Sequence, residues 1–148
     1  MTKKSLVSFS LALFFVLLID QAIKWWFVQN NFEYQGNIIS LVLAYNQGVA
    51  FSLFDSLKEW LKYLQILLLI GIFAYLWKHK EIFQAHSLPI GIIFGGGISN
   101  ILDRFLHIGV VDYIYWHYKF EFAIFNFADM MINLGVFLII LQTFFKKK

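Results

Sequence analysis

Four runs of mostly apolar residues, at 5–28, 60–77, 88–106 and 123–145, dominate this chain of 148 residues. A helix needs roughly 20 such residues to cross a bilayer. The chain therefore reads as an α-helical membrane protein with four transmembrane helices in one domain, 1–148. Hydrophobic residues make up 60% of it and the mean hydropathy is +0.69, well above the roughly 45–50% apolar usage of soluble domains. A soluble chain this short has no interior large enough to hide that surface.

The first run could pass for a signal peptide, since Lys3 and Lys4 precede apolar residues. No small-x-small cleavage site follows, and the run continues into Asp20-Gln-Ala-Ile-Lys24, so a retained helix is expected. Placing both termini in the cytoplasm puts seven basic residues inside (Lys3, Lys4, Lys78, Lys80 and the last three lysines) and five outside. That is the positive-inside arrangement, with both termini on the cytoplasmic side. The formal charge of +3 belongs to lysines flanking apolar runs, so no nucleic-acid partner is expected. Trp25, Trp26, Trp60, Trp77 and Trp116 fall near the expected interfaces, where amphipathic rings settle.

Between the first two runs lies a long outer loop, 29–59. Its segment from Gly36 to Tyr45 is rich in β-branched and aromatic residues and reads as one or two short surface strands, with a turn near Asn46-Gln-Gly48. Residues 105–122 form a second outer loop.

Ionisable groups within membrane helices are costly and point to function. Asp20 and Lys24 stand four apart on one helix face. Ser99, Asn100, Asp103 and Arg104 cluster on the third run, and Asn126, Asp129 and Asn133 form a stripe on the fourth. At 1.5 Å rise per residue, Asp20, Asp103 and Asp129 each lie roughly 22–24 Å outward from the inner ends of their helices. All three reach the outer leaflet, where Asp112 can join them. Plainer roles exist for some of these residues. Asp20–Lys24 also fits an interfacial ion pair, Asn126 and Asn133 fit interhelical hydrogen bonding, and Gly91 and Gly95 fit close helix packing. Asp112 and Asp129 have no basic residue within four positions, so nothing local neutralises them.

Without cysteine, and without a Ser–His or metal constellation, hydrolysis would rest on acids. The four histidines (His79, His86, His107 and His117) are scattered, so no metal and no cofactor is expected. Two aspartates in a poorly solvated site share one proton. One then activates water while its protonated partner polarises a carbonyl. Periodicity alone does not choose the pair among Asp103, Asp112 and Asp129; the adjacency of Asp103 to Arg104 favours the other two.

Five segments, in order along the chain, resemble signatures of the lipoprotein (type II) signal peptidases. They are Asp20-Gln-Ala-Ile-Lys24, Asn46-Gln-Gly-Val-Ala-Phe51, Gly96-Gly-Ile-Ser-Asn-Ile-Leu-Asp-Arg104, Val110-Val-Asp-Tyr113 and Phe125-Asn-Phe-Ala-Asp129. The resemblance implies that Asp112 and Asp129 are a catalytic dyad. It implies that Asn46, Gly48, Asn100, Arg104 and Asn126 shape the substrate site, with Asp20, Lys24, Gly96, Asp103 and Ala128 in support. It further implies four transmembrane helices, an outer β-cradle at 36–51 and a short surface helix near 52–59. The implied substrate is a diacylglyceryl-modified prolipoprotein, cut before its lipid-bearing cysteine, and the implied inhibitors are cyclic peptides such as globomycin. Membrane lipids are the expected surroundings and a monomer the expected state. Ser99 and Val49 depart from the family pattern, standing where Gly and Ala are frequent.

Two other classes fit the sequence less well. A proton- or ion-coupled transporter usually holds its site near the midplane between repeats, whereas here the charges gather at one end. A non-catalytic lipid-binding scaffold would leave Asp112 and Asp129 dispensable.

Overall fold

The computed structural model describes residues 1–48 and 59–145. In chain order the elements are α1 (Lys3–Asn30), β1 (Ile39–Asn46), α2 (Glu59–Lys78), α3 (Lys80–Ala85), α4 (Ser87–Leu106), β2 (Val110–Trp116) and α5 (Phe127–Phe145). The expected surface helix near 52–59 and the last part of the expected cradle, Val49 included, lie outside the described residues.

Helix α1 opens on a reciprocal cap. Thr2 Oγ1 accepts the Ser5 N–H at 3.2 Å, and Ser5 Oγ accepts the Thr2 N–H at 3.1 Å. It closes at Asn31, which adopts left-handed backbone (φ 45°) and donates its N–H to Phe27 O. Along it Val16, Asp20, Lys24 and Phe27, three or four apart, form the buried stripe, while Leu11, Phe14, Phe15 and Leu18 are exposed. Large apolar side chains are likewise exposed along α2 and α5. That surface suits hydrocarbon, not water.

Among the described residues three helices, α1, α2 and α5, are long and apolar enough to cross a membrane. α4 has the length, 20 residues, but spends it on Pro89, glycines, Ser99, Asn100, Asp103 and Arg104. The reason is its position: α4 packs against α1, α5 and α2 and turns the buried polar residues Ser99, Asn100 and Asp103 into the bundle. A Cβ on Gly95 would lie 2.7 Å from Leu13 O and 2.9 Å from Val16 Cβ of α1, and one on Gly96 would lie 2.7 Å from Ala128 O of α5. The packing role expected for Gly91 and Gly95 thus extends to Gly96, which seats the start of α5. We expect Gly95→Ala to destabilise the detergent-solubilised protein by about 1–3 kcal/mol through overpacking. Gly97→Ala, whose methyl would meet only Leu69 at 3.5 Å, should cost nothing measurable. Thermal unfolding of the two variants checks this, and equal midpoints would contradict the packing account.

β1 and β2 form an antiparallel two-stranded sheet with Ile39 opposite Trp116 at one end and Asn46 opposite Val110 at the other. A register shift falls between Leu41 and Ala44, an extra β1 residue of the kind that re-aims neighbouring side chains. It sets Ala44 opposite Asp112. The segment before β1 folds back through Tyr34–Leu41 pairing, and Ile114 pairs with Phe125. Two boundaries differ from the sequence expectation. The second outer loop, for which the sequence reading named no strand, contains β2. The fourth helix begins at Phe127 instead of 123, because Phe125 is held extended against Ile114.

Candidate active site

Four elements deliver acidic side chains to one end of the bundle, and a single lysine organises two of them. Lys24 Nζ of α1 lies 2.7 Å from Asp20 Oδ2 and 2.7 Å from Asp103 Oδ2 of α4. It also donates to Asn100 Oδ1 at 2.8 Å. All three charged groups are buried, Asp20 and Asp103 at 0% exposure. The pair Asp20–Lys24 is therefore an interior device, not the exposed interfacial pair that its spacing also allowed. Asp103 is an ion-pair partner, as its neighbourhood in the sequence indicated, though Lys24 of another helix is the group it meets.

Each of these carboxylates has further partners. Asp20 Oδ1 accepts the Ala128 N–H at 2.8 Å, and its Oδ2 accepts Ser99 Oγ at 2.6 Å. Asp103 Oδ2 accepts the Val111 N–H at 3.0 Å, which ties β2 to α4. Gln21 Nε2 donates to Ser99 Oγ and Asp103 Oδ1, each at 2.8 Å. The departure at Ser99 thus introduces a hydroxyl that joins α1 to α4, and Gln21, unremarked in the sequence, completes the network. Among the described residues no buried side-chain nitrogen or oxygen lacks a partner, as buried polar groups require.

Beside this network stand Asp112 and Asp129, linked by asparagines. Asn126 Nδ2 donates to Asp112 Oδ1 at 2.6 Å and to Asn100 Oδ1 at 3.1 Å. Asn100 Nδ2 in turn donates to Asp129 Oδ1 at 2.8 Å. Asn46, at the end of β1, donates to Asp112 Oδ2 at 3.1 Å and accepts the Gly48 N–H at 3.0 Å, closing the expected turn. Asn126 and Asp129 also cap α5 reciprocally: Asp129 N–H to Asn126 Oδ1 is 2.9 Å, and Asn126 N–H to Asp129 Oδ2 is 3.2 Å. One asparagine thereby starts the helix, braces the acid of its own first turn and holds the acid of the facing strand.

Asp112 and Asp129 both line a cavity of about 520 Å³ whose wall includes Asn46, Gly48, Asn100, Arg104 and Asn133. Arg104 Nε donates to Gln65 Oε1 at 3.1 Å, and its terminal nitrogens donate to the carbonyls of Gln47, at 3.2 Å, and Gly48. It so fastens the end of the β1 turn to α4 and α2. Gln65, an isolated neutral amide in an apolar run, is a contact the sequence analysis does not name. Burial, with the charge of Asp129 in second place, pushes the Asp112 carboxyl up to about 7, against the opposing pull of Asn46, Asn126 and Lys24. Phe122, Ile124, Phe125, Met130 and Ile132 give the cavity its apolar side.

The residues named from sequence are thus brought together. Asp112, Asp129, Asn46, Gly48, Asn100 and Arg104 line the cavity, and Asn126 bridges behind it. Asp20, Lys24, Asp103, Gly96 and Ala128 lie in the adjoining support. Among the described residues no group of three or more His, Cys, Asp or Glu side chains is arranged to hold a metal ion.

The same arrangement of helices and sheet occurs in a solved bacterial membrane enzyme. That structure superposes with a TM-score of 0.75 at 24% identity, covering 93% of this chain and 88% of that one. In sequence, a lipoprotein signal peptidase from Helicobacter pylori is 51% identical over 147 residues, covering 99% of this chain and 93% of its own length. One from Wolinella succinogenes is 54% identical over 140 residues, covering 94% and 95%. The sequence pattern of signal peptidase (SPase) II matches residues 12–145, so that both the acid-bearing strand and the helix it faces fall inside it. The chain belongs to the signal peptidase II family.

Proposed function

We propose that this chain is an aspartic endopeptidase that removes the signal peptide from diacylglyceryl-modified prolipoproteins, cutting before the lipid-bearing cysteine. The observation that carries this reading is the placement of Asp112 and Asp129 on one cavity, joined through Asn126 and Asn100. One carboxylate takes a proton from water as it attacks the scissile carbonyl, and the other, protonated, donates to the carbonyl oxygen. When the tetrahedral intermediate collapses, a proton passes to the leaving amine. Asn46, Asn100, Asn126 and Arg104 hold the acids and the cavity wall in register, while Asp20, Lys24 and Asp103 support them from behind.

The reading includes four membrane-spanning helices, α4 being the enclosed one, with both termini cytoplasmic in a bacterial inner membrane. The site then opens near the outer face, where a diacylglyceryl group stays in hydrocarbon while its peptide reaches headgroup depth. Globomycin-type cyclic peptides would compete for that cavity. The direct test incubates the purified protein with a lipidated precursor peptide and its unlipidated counterpart, with mass spectrometry as the readout. Only the lipidated peptide should yield a product beginning at the modified cysteine, with or without EDTA. Chelator-sensitive cleavage, or no cleavage of the lipidated peptide, would contradict the proposal.

A pH dependence follows from Asp112. Its carboxyl, raised to about 7, keeps a proton below that pH and loses it above. Two carboxylate anions cannot donate to the carbonyl, so cleavage should decline as pH rises through about 7. Folding carries the same sign. Between about pH 4, where a free aspartate ionises, and about 7 the folded protein holds a proton that the unfolded chain has released, so this group's contribution to stability also falls with rising pH. A rate that climbs steadily through pH 8 in a cleavage profile would refute the assignment.

A further inference from the structure

The first N–H groups of a helix have no partner within it. In α5 three successive ones are met by side chains from three different places. Phe127 N–H reaches the Tyr113 hydroxyl at 3.0 Å, Ala128 N–H reaches Asp20 Oδ1 at 2.8 Å, and Asp129 N–H reaches Asn126 Oδ1 at 2.9 Å. Tyr113 is the unexpected member. It follows Asp112 directly on β2, and successive side chains of a strand point to opposite faces. Asp112 faces the cavity. Tyr113 turns away from it, is 4% exposed and stacks on Phe27 of α1 with ring centroids 4.5 Å apart and planes 15° from parallel. Burial pushes its hydroxyl up, so it stays neutral at any working pH.

We infer that Tyr113 is a positioning residue: by accepting the Phe127 N–H it ties the first turn of α5 to the strand that carries Asp112, and so sets where Asp129 stands against Asp112. The inference rests on the dyad reading above. One short strand then supplies one acid and, at the next residue, the clamp on the helix that supplies the other. A phenylalanine would keep the stacking on Phe27 but leave the Phe127 N–H without its partner. The charged groups around Asp112 are Lys24 from α1, Arg104 from α4 and Asp129 from α5, with Asp20 and Asp103 engaged by Lys24. Of these, Asp129 is the one that the loss of the Tyr113 hydroxyl would let move.

The test compares Tyr113→Phe with Phe27→Leu, which removes the stacking partner but keeps the hydroxyl. Steady-state cleavage of a lipidated precursor peptide is followed across pH, with thermal unfolding in parallel. For Tyr113→Phe, kcat should fall about tenfold, short of the roughly hundredfold that a 1 Å misplacement costs, with KM within about twofold. Its alkaline limb should move to lower pH, because an Asp129 set further off pushes Asp112 up less. Phe27→Leu should lose thermal stability while its limb stays in place. Wild-type kcat and limb in Tyr113→Phe would overturn the inference, as would the same kcat loss and limb shift in both variants. Failure of Tyr113→Phe alone to fold would also overturn it, since the hydroxyl would then be holding the fold and not aiming an acid. Activity retained in Asp129→Asn would instead defeat the dyad reading itself, so the two failures are distinguishable.

Discussion

Lys24→Met is expected to be among the most destabilising single substitutions in this protein, by about 3–5 kcal/mol, the usual cost of removing one partner from a buried ion pair. Methionine fills a similar volume, so packing is not the cause. The cause is charge: Asp20 and Asp103 would remain buried at 0% exposure with their common cation gone. Both also do local work, since Asp20 holds the Ala128 N–H at the start of α5 and Asp103 holds the Val111 N–H at the start of β2. Both acid-bearing elements should therefore loosen together, and cleavage should fall with stability. Lys80→Met, at an exposed position, should leave both unchanged. Unfolding midpoints in detergent for the two variants check this; a Lys24→Met protein as stable as wild type would remove the buried lysine from the account.

Much of this architecture was legible because membrane helices are long and their apolar runs unambiguous. The polar residues were legible too, since an aspartate or asparagine inside such a run is costly and stands out. Asp20, Asp103 and Asp129 meet at one end as counting 1.5 Å per residue indicated, with Lys24, Asn100 and Asn126 between them. What counting could not supply was the partner across the bundle. The adjacency of Asp103 and Arg104 concealed the contact of Asp103 with Lys24, because helix periodicity relates residues on one helix and says nothing of register between two. The strand β2 was missed although Val110-Val-Asp-Tyr-Ile-Tyr-Trp116 has strong strand propensity; its place after a helix end made it read as a loop. Gln21, Gln65 and Tyr113 escaped notice because a neutral polar side chain beside an apolar run carries a weak signal until its partner is known.

The second large effect concerns the two acids. Asp112→Asn and Asp129→Asn should each lower cleavage by about 10³- to 10⁴-fold, at the upper end of what one acid or base contributes. Neither change alters volume, and an asparagine at 112 still offers one oxygen to Asn126 or Asn46, the present donors to that carboxylate. The variants should therefore stay folded and membrane-inserted, and the loss should appear in kcat. A lone carboxylate cannot at once take a proton from water and present one to the carbonyl.

That interdependence gives the sharpest measurement, a cycle of cleavage rates on a lipidated precursor peptide for wild type, Asp112→Asn, Asp129→Asn and the double variant. If one proton is shared between the two carboxyl groups, each single change removes the whole device, and all three variants should fall to the same background rate, as residues acting as a unit do. Losses that multiply from single to double, or appreciable turnover by either single variant, would contradict it.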